Sequence, residues 1–247
     1  MTPPLFTAGL TLGLVALAWT AERSRLASWI LVAGFVSAFG SGLLLGDVEM
    51  RTFTWVKVFT LLAAMVLLNL VRFSAWGGQN LWIASAMLAL NILEAAFTDL
   101  AAGRWFNGVT GVVLCTLIPP PRVVRIRGAV PSLWFPTSRL WILAYTAWNF
   151  AFVIRFFPAH ASDQVAVLLV PLLWIAHRPQ HWVQVRTYTL SAYALLIVTW
   201  EEAFELPWAP TWFVPGDTVT TAAVALAMVL TALAVLRRRV GPSGEMT

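Results

Sequence analysis

Charge is scarce in this 247-residue chain: Asp, Glu, Lys and Arg together make up 11% of it. Soluble domains are about a quarter charged and about half apolar. Here 60% of residues are apolar and the mean hydropathy is +0.79. No stretch is long and polar enough for a separate soluble domain, so residues 1–247 read as one integral-membrane domain. Cysteine is limited to Cys115, which excludes an internal disulfide and a multi-cysteine metal site. In its apolar run Cys115 reads as a buried structural thiol. His160, His177 and His181 all fall between apolar segments, so no mid-membrane histidine is available to ligate haem or chlorophyll. His177 and His181 have a one-face spacing, but Pro179 interrupts it. Walker loops, G-x-S-x-G elbows and cysteine pairs are lacking. No cofactor and no metal are therefore expected, and catalysis is disfavoured without being excluded.

The N-terminal Met1-Thr2-Pro3-Pro4 carries no basic residue, so the first apolar run is expected to be a retained helix and not a cleaved signal. The pI near 10.3 comes from arginines in short loops between apolar segments. That distribution is a topology signal; a nucleic-acid surface would be a continuous basic patch. At about 20 residues per crossing, the hydropathy gives an all-α polytopic bundle of about nine spans. They cover roughly 4–19, 26–45, 52–71, 81–99, 105–118, 140–157, 164–176, 187–200 and 218–236. The fifth and seventh are short, and Pro171 breaks the seventh. Gly34, Ser37 and Gly40 in the second span have the spacing that lets helices approach closely.

With the N-terminus outside and the C-terminus inside, the cytoplasmic segments hold Arg23/Arg25, Arg72, Arg122 to Arg139, Arg178/Arg186 and Arg237 to Arg239. The outer segments hold Asp47/Glu49, Asp99, Asp163, Glu201/Glu202/Glu205 and Asp217. The charge alternation supports both the count and the orientation. Trp19, Trp55, Trp76, Trp105, Trp134, Trp182, Trp200, Trp208 and Trp212 fall near span ends, as an interfacial belt would. Trp148 falls mid-span, where a packing or site role is expected.

Ionisable groups inside spans are costly and point to function by default. Lys57, the only lysine, lies about one and a half turns below the outer surface on the third span, and Glu94 lies at similar depth on the fourth. Sequential antiparallel helices are usually neighbours, so the two are expected to pair. Thr54, Lys57 and Thr60 share one helix face, as do Asn91, Glu94 and Thr98. Asn107 falls under the same surface. Tyr145, Trp148 and Asn149 share a deeper face of the sixth span. Arg186, Thr189 and Tyr193 form a stripe on the eighth.

The segments Trp55-Val56-Lys57-Val58, Asn91-Ile92-Leu93-Glu94-Ala95, Asn107-Gly108, Trp148-Asn149-Phe150-Ala151 and Arg186-Thr187-Tyr188-Thr189-Leu190, in that order, resemble a family of bacterial polytopic membrane proteins catalogued only as a domain of unknown function. The resemblance covers roughly 52–195, and beyond it only hydropathy matches. It implies an all-helical fold in a bacterial cytoplasmic membrane, no known activity, and one shared design for Lys57, Glu94, Asn107, Trp148, Asn149 and Arg186.

The leading expectation is a transporter- or channel-like protein that binds a small polar or charged ligand at Lys57, Glu94, Asn91 and Asn107, with Tyr145 and Asn149 extending the site inward. Membrane lipids are its expected surroundings. A buried pair that only orients two helices is the alternative, in a non-catalytic subunit or assembly factor of a larger complex or in a homo-oligomer. Lys57 reaching for the outer headgroups is another. An enzyme acting on a lipid or isoprenoid, with Glu94 as acid/base, is a further one. A retinal-type lysine with a carboxylate counter-ion matches in nothing else.

Overall fold

A computed structural model describes residues 3–45, 52–158, 161–199 and 216–240; it is mostly helical, with ten α-helices. They are α1 (Pro3–Arg23), α2 (Arg25–Leu45), α3 (Thr52–Phe73), α4 (Ala75–Gln79), α5 (Trp82–Ala101), α6 (Trp105–Thr116), α7 (Arg139–Phe156), α8 (Ala161–Ile175), α9 (Trp182–Thr199) and α10 (Asp217–Val240). Each of the nine expected apolar segments falls on one of these helices, and α4 is additional. The stretches with Asp47/Glu49 and Glu201/Glu202/Glu205 lie outside the described residues, as do the side chains of Thr54 and Trp55.

Among the described residues, three helices are long and apolar enough to cross a membrane: Leu5–Arg23, Trp82–Ala101 and Asp217–Arg238. Leu12, Leu26, Phe97, Phe106 and Leu236, among others, are exposed on the bundle surface. A soluble monomer rarely shows apolar surface on that scale. The short segments are short as helices too. The 12 residues of α6 span about 18 Å and the 15 of α8 about 22 Å at 1.5 Å per residue, below the ~30 Å hydrocarbon core.

Helices α3, α5, α6, α7, α8 and α9 contact one another in a closed ring; α10 packs on α7 and α6, and α1 and α2 pack on α8, α9 and α3. Ser138 caps α7 by accepting from the Trp141 amide at 3.2 Å, and Ser74 caps α4 at Gly77. One side of the ring's centre is aromatic. Tyr145 stacks on Trp141 with ring centroids 5.5 Å apart and meets the Trp182 ring edge-on at 4.9 Å. Trp182 is 1% exposed, so it belongs to the core and not to an interfacial belt. Trp19, Trp76 and Trp105 are exposed at helix ends.

The all-α expectation needs one correction. The basic connector after α6 holds a short antiparallel hairpin, β1 (Arg125–Arg127) with β2 (Ser132–Trp134), in the register Arg125↔Trp134 and Arg127↔Ser132. Gly128 takes φ +94 in its turn, a backbone that L side chains resist. The Leu133 amide donates to Gln184 Oε1 and the Phe135 amide to the Gln180 carbonyl, both at 2.8 Å. The hairpin is thereby pinned to the start of α9. Arg139 donates to the Ala176 carbonyl and Arg238 to the Thr116 carbonyl. These bonds gather the arginine-bearing helix ends at one end of the bundle.

Among the described residues, Gly34 and Gly40 mediate no close packing: no described atom lies within 4 Å of a Cβ built at either. Tight glycines lie elsewhere: such a Cβ at Gly77 of α4 meets the Leu70 carbonyl at 2.1 Å, and on α6 one at Gly108 meets Leu100 at 2.6 Å and one at Gly111 meets Trp148 at 2.7 Å.

Candidate functional site

The polar residues of α3 and α5 meet. Lys57 Nζ donates to Asn91 Oδ1 at 2.7 Å and lies 3.3 Å from Glu94 Oε2. Asn91 turns its Nδ2 to Tyr145 Oη on α7 at 3.2 Å. Four of the expected residues therefore form one relay across three helices. The relay is not sealed: the Lys57 and Glu94 side chains are 24% and 12% exposed. Glu94 Oε1, itself inaccessible, has no hydrogen-bond partner among the described residues.

Two other expected residues form a second pair. Arg186 on α9 donates from Nη2 to Asn149 Oδ1 at 3.0 Å and from Nη1 to the Val167 carbonyl at 3.2 Å. It is 5% exposed, and its Nε has no partner among the described residues. Among the described residues, no carboxylate lies within ion-pair distance of Arg186.

Asn107 does not hydrogen-bond to the Lys57–Glu94 relay. Its Nδ2 donates to Asp99 Oδ2 at 2.6 Å, and its carbonyl accepts from Trp148 Nε1 at 2.8 Å. The reason is local, because α6 turns back on α5 directly after Asp99 and brings Asn107 beside the last turn of that helix. Asp99 is fully buried and is no solvated loop charge. Trp148 is fully buried too, and packs α7 on α6.

Sequence reading missed a third polar centre. Arg72, taken for a loop arginine, is buried at the end of α3. It donates to the carbonyls of Pro131, Ala21 and Glu22 and to Tyr188 Oη at 2.5 Å. Tyr188 Oη donates in turn to Asn69 Oδ1 at 2.6 Å, and Asn69 Nδ2 donates to the Ser28 carbonyl. The i, i+3 spacing of Asn69 and Arg72 was the available signal. Nearby, Glu22 accepts from Trp174 Nε1 at 3.0 Å and pairs with His181 Nδ1. His181 is thus engaged through Nδ1 by a carboxylate on α1. No cluster of three metal-ligating side chains occurs among the described residues.

A groove connects the first two centres. Its walls are apolar side chains of α3 (Leu61, Ala64, Leu68), α5 (Ile83, Met87, Leu90) and α9 (Val183, Leu190). Asn91, Tyr145 and Arg186 supply its main polar lining, and Leu133 of the hairpin also lines it. Its cavity volume is about 60 Å³. No family model, curated protein or solved structure matches the chain.

Proposed function

We propose that this is a multi-pass protein of a bacterial cytoplasmic membrane, N-terminus outside and C-terminus inside, that binds a polar or charged ligand in transporter- or channel-like fashion. Lys57, Glu94 and Asn91 hold the ligand, Tyr145 extends the site inward, and the Arg186–Asn149 pair flanks it. About nine crossings fit the nine apolar helices, with α6 and α8 accommodated by tilt or local thinning. The gathering of arginine-bearing ends on one face of the bundle supports the orientation.

One observation carries the ligand-binding reading: the Lys57–Glu94 pair is partly open, and one carboxylate oxygen has no donor. Buried polar atoms in a purely structural pair are normally satisfied. The test is uptake of protons, sodium and a panel of small amino and organic acids by proteoliposomes, comparing wild type with Lys57→Met, Glu94→Gln and the double variant. Loss of one flux in the single variants is expected. If assembly and every flux are unchanged in all three, the site reading fails.

A structural role in a larger complex draws on a different observation: the Lys57–Asn91 bond ties α3 to α5 beside a groove that otherwise separates them. Stoichiometric co-purification with other membrane subunits, together with absent flux, would favour it.

A further inference from the structure

We infer that the ligand of this site is a single-chain amphiphile: an apolar chain lying in the α3–α5–α9 groove, with an anionic head at Arg186, Asn91 and Tyr145. This rests on the reading that the polar cluster binds a ligand, and it adds the kind of molecule that fits.

The shape sets the chain. The groove runs along α3 from Thr60 to Val71, about 16 Å at 1.5 Å per residue. Its polar groups gather toward the Asn91–Tyr145–Arg186 side; Thr60 and Thr187 also line it, but their hydroxyls are bonded back to the Lys57 and Val183 carbonyls of their own helices, and the rest of the wall is apolar. A hydrated cation finds too few oxygens there to replace its water, whereas an alkyl chain finds continuous apolar contact. Leu133 and Trp182 line the stretch nearest the hairpin and limit the chain that can be enclosed.

Charge sets the head. Lys57 and Glu94 balance each other. Arg186 is buried against two neutral oxygens and keeps Nε without an acceptor. An uncompensated buried cation is costly in a low-dielectric interior, and an anionic head at the groove removes that cost. The rim sets the route. Ala64 and Met87 are part-exposed and Leu90 is exposed on the flank of the bundle, so the chain enters sideways from the bilayer.

The test uses the full chain in phosphatidylcholine nanodiscs, with decyl phosphate and decanoate as probes and decanol and inorganic phosphate as controls. At least one anionic amphiphile is expected to bind saturably and one-to-one, about tenfold more tightly than decanol, and inorganic phosphate is expected not to compete. Binding of decyl phosphate alone assigns a phosphate head, and binding of decanoate alone a carboxylate. Arg186→Met should remove the preference for the anion. Ala64→Phe, which fills the groove, should block both probes. Since either variant could misfold, the wild-type protein supplies an independent readout. Decyl phosphate with a diazirine at its chain end should label Leu68–Val71 or Trp182–Val183. Equal binding of decanol, or label scattered over exposed α10, overturns the inference as ordinary bilayer occupancy. Solute flux that needs Lys57 and Glu94 but survives Ala64→Phe overturns it while leaving the polar-ligand reading standing. Specific groove labelling that is indifferent to Lys57→Met and Glu94→Gln upholds the amphiphile and overturns the relay as its binding site.

Discussion

Arg186 of α9 donates to the Val167 carbonyl of α8 at 3.2 Å, and that oxygen is the one Pro171 leaves without its helical donor. Proline has no N–H, so the carbonyl four residues earlier loses its partner. In a lipid-embedded bundle an unsatisfied backbone group costs several kcal/mol. The proline inside short α8 and the arginine on α9 therefore solve one problem together. The break creates an acceptor, and the acceptor holds the guanidinium beside the groove. Pro171→Ala should shift unfolding by only about 1 kcal/mol, because a helical hydrogen bond replaces one from Arg186. Arg186→Met orphans both Val167 O and Asn149 Oδ1 and should cost about 2–4 kcal/mol. Thermal unfolding in maltoside micelles ranks the two, and equal losses would refute the link.

Lys57 is held more closely by Asn91, at 2.7 Å, than by Glu94, at 3.3 Å. Asn91→Ala should therefore cost more than the loss of one neutral hydrogen bond, about 1–3 kcal/mol, since it also removes the donor to Tyr145. Lys57→Met and Glu94→Gln each leave a partner uncompensated, and the partial exposure keeps each cost below the 3–5 kcal/mol typical of a fully buried pair. The double variant should lose less than the sum of the singles by about 1 kcal/mol. A double-mutant cycle measured by unfolding checks this, and strict additivity would show that the pair is not coupled.

Much of this arrangement could be read from residue order. Hydropathy located every long helix because the signal is additive over some 20 residues. Depth along α3 and α5 brought Lys57 to Glu94. Asn107 went to the wrong cluster because depth fixes height and not which face of α5 a neighbour meets. The hairpin was invisible: three-residue strands carry no period, and what anchors it is Gln184 on α9 and Gln180 in the turn just before that helix. Arg72 was misread for a related reason. An arginine at the end of an apolar run looks like a loop charge unless the carbonyls of another helix end close over it.

Arg72 joins α1, the hairpin and α9 through one planar fork. Arg72→Lys keeps the charge but has a single nitrogen, which cannot reach several divergent acceptors. It should cost about 2–4 kcal/mol and loosen the hairpin, with hydrogen exchange at the Leu133 amide as the local readout. Tyr188→Phe removes the link to Asn69 and one of the five Arg72 bonds, leaves the three carbonyl contacts of Arg72 in place, and should cost about 1–2 kcal/mol. If Arg72→Lys proves no worse than Tyr188→Phe, the fork geometry does not matter.

Gly108 and Gly111 test whether the site depends on how closely α6 approaches its neighbours. A Cβ at Gly111 would stand 2.7 Å from Trp148 Cζ2 and 2.8 Å from Ala96 Cβ, so α5 or α7 must move. Overpacking of this kind costs about 1–3 kcal/mol. Here the displaced ring is Trp148, which packs against Tyr145 with centroids 5.7 Å apart. Tyr145 in turn takes the Asn91 bond. Gly111→Ala should therefore lower stability and also weaken ligand binding, although Gly111 touches neither Lys57 nor Glu94. Gly34→Ala meets no described atom and trades glycine's backbone freedom for helix propensity. It should be neutral or stabilising by up to about 1 kcal/mol. Comparing the two alanines for unfolding temperature and for decyl phosphate affinity separates packing from propensity. Loss of stability without loss of binding in Gly111→Ala would mean that the Trp148–Tyr145 contact does not position the relay.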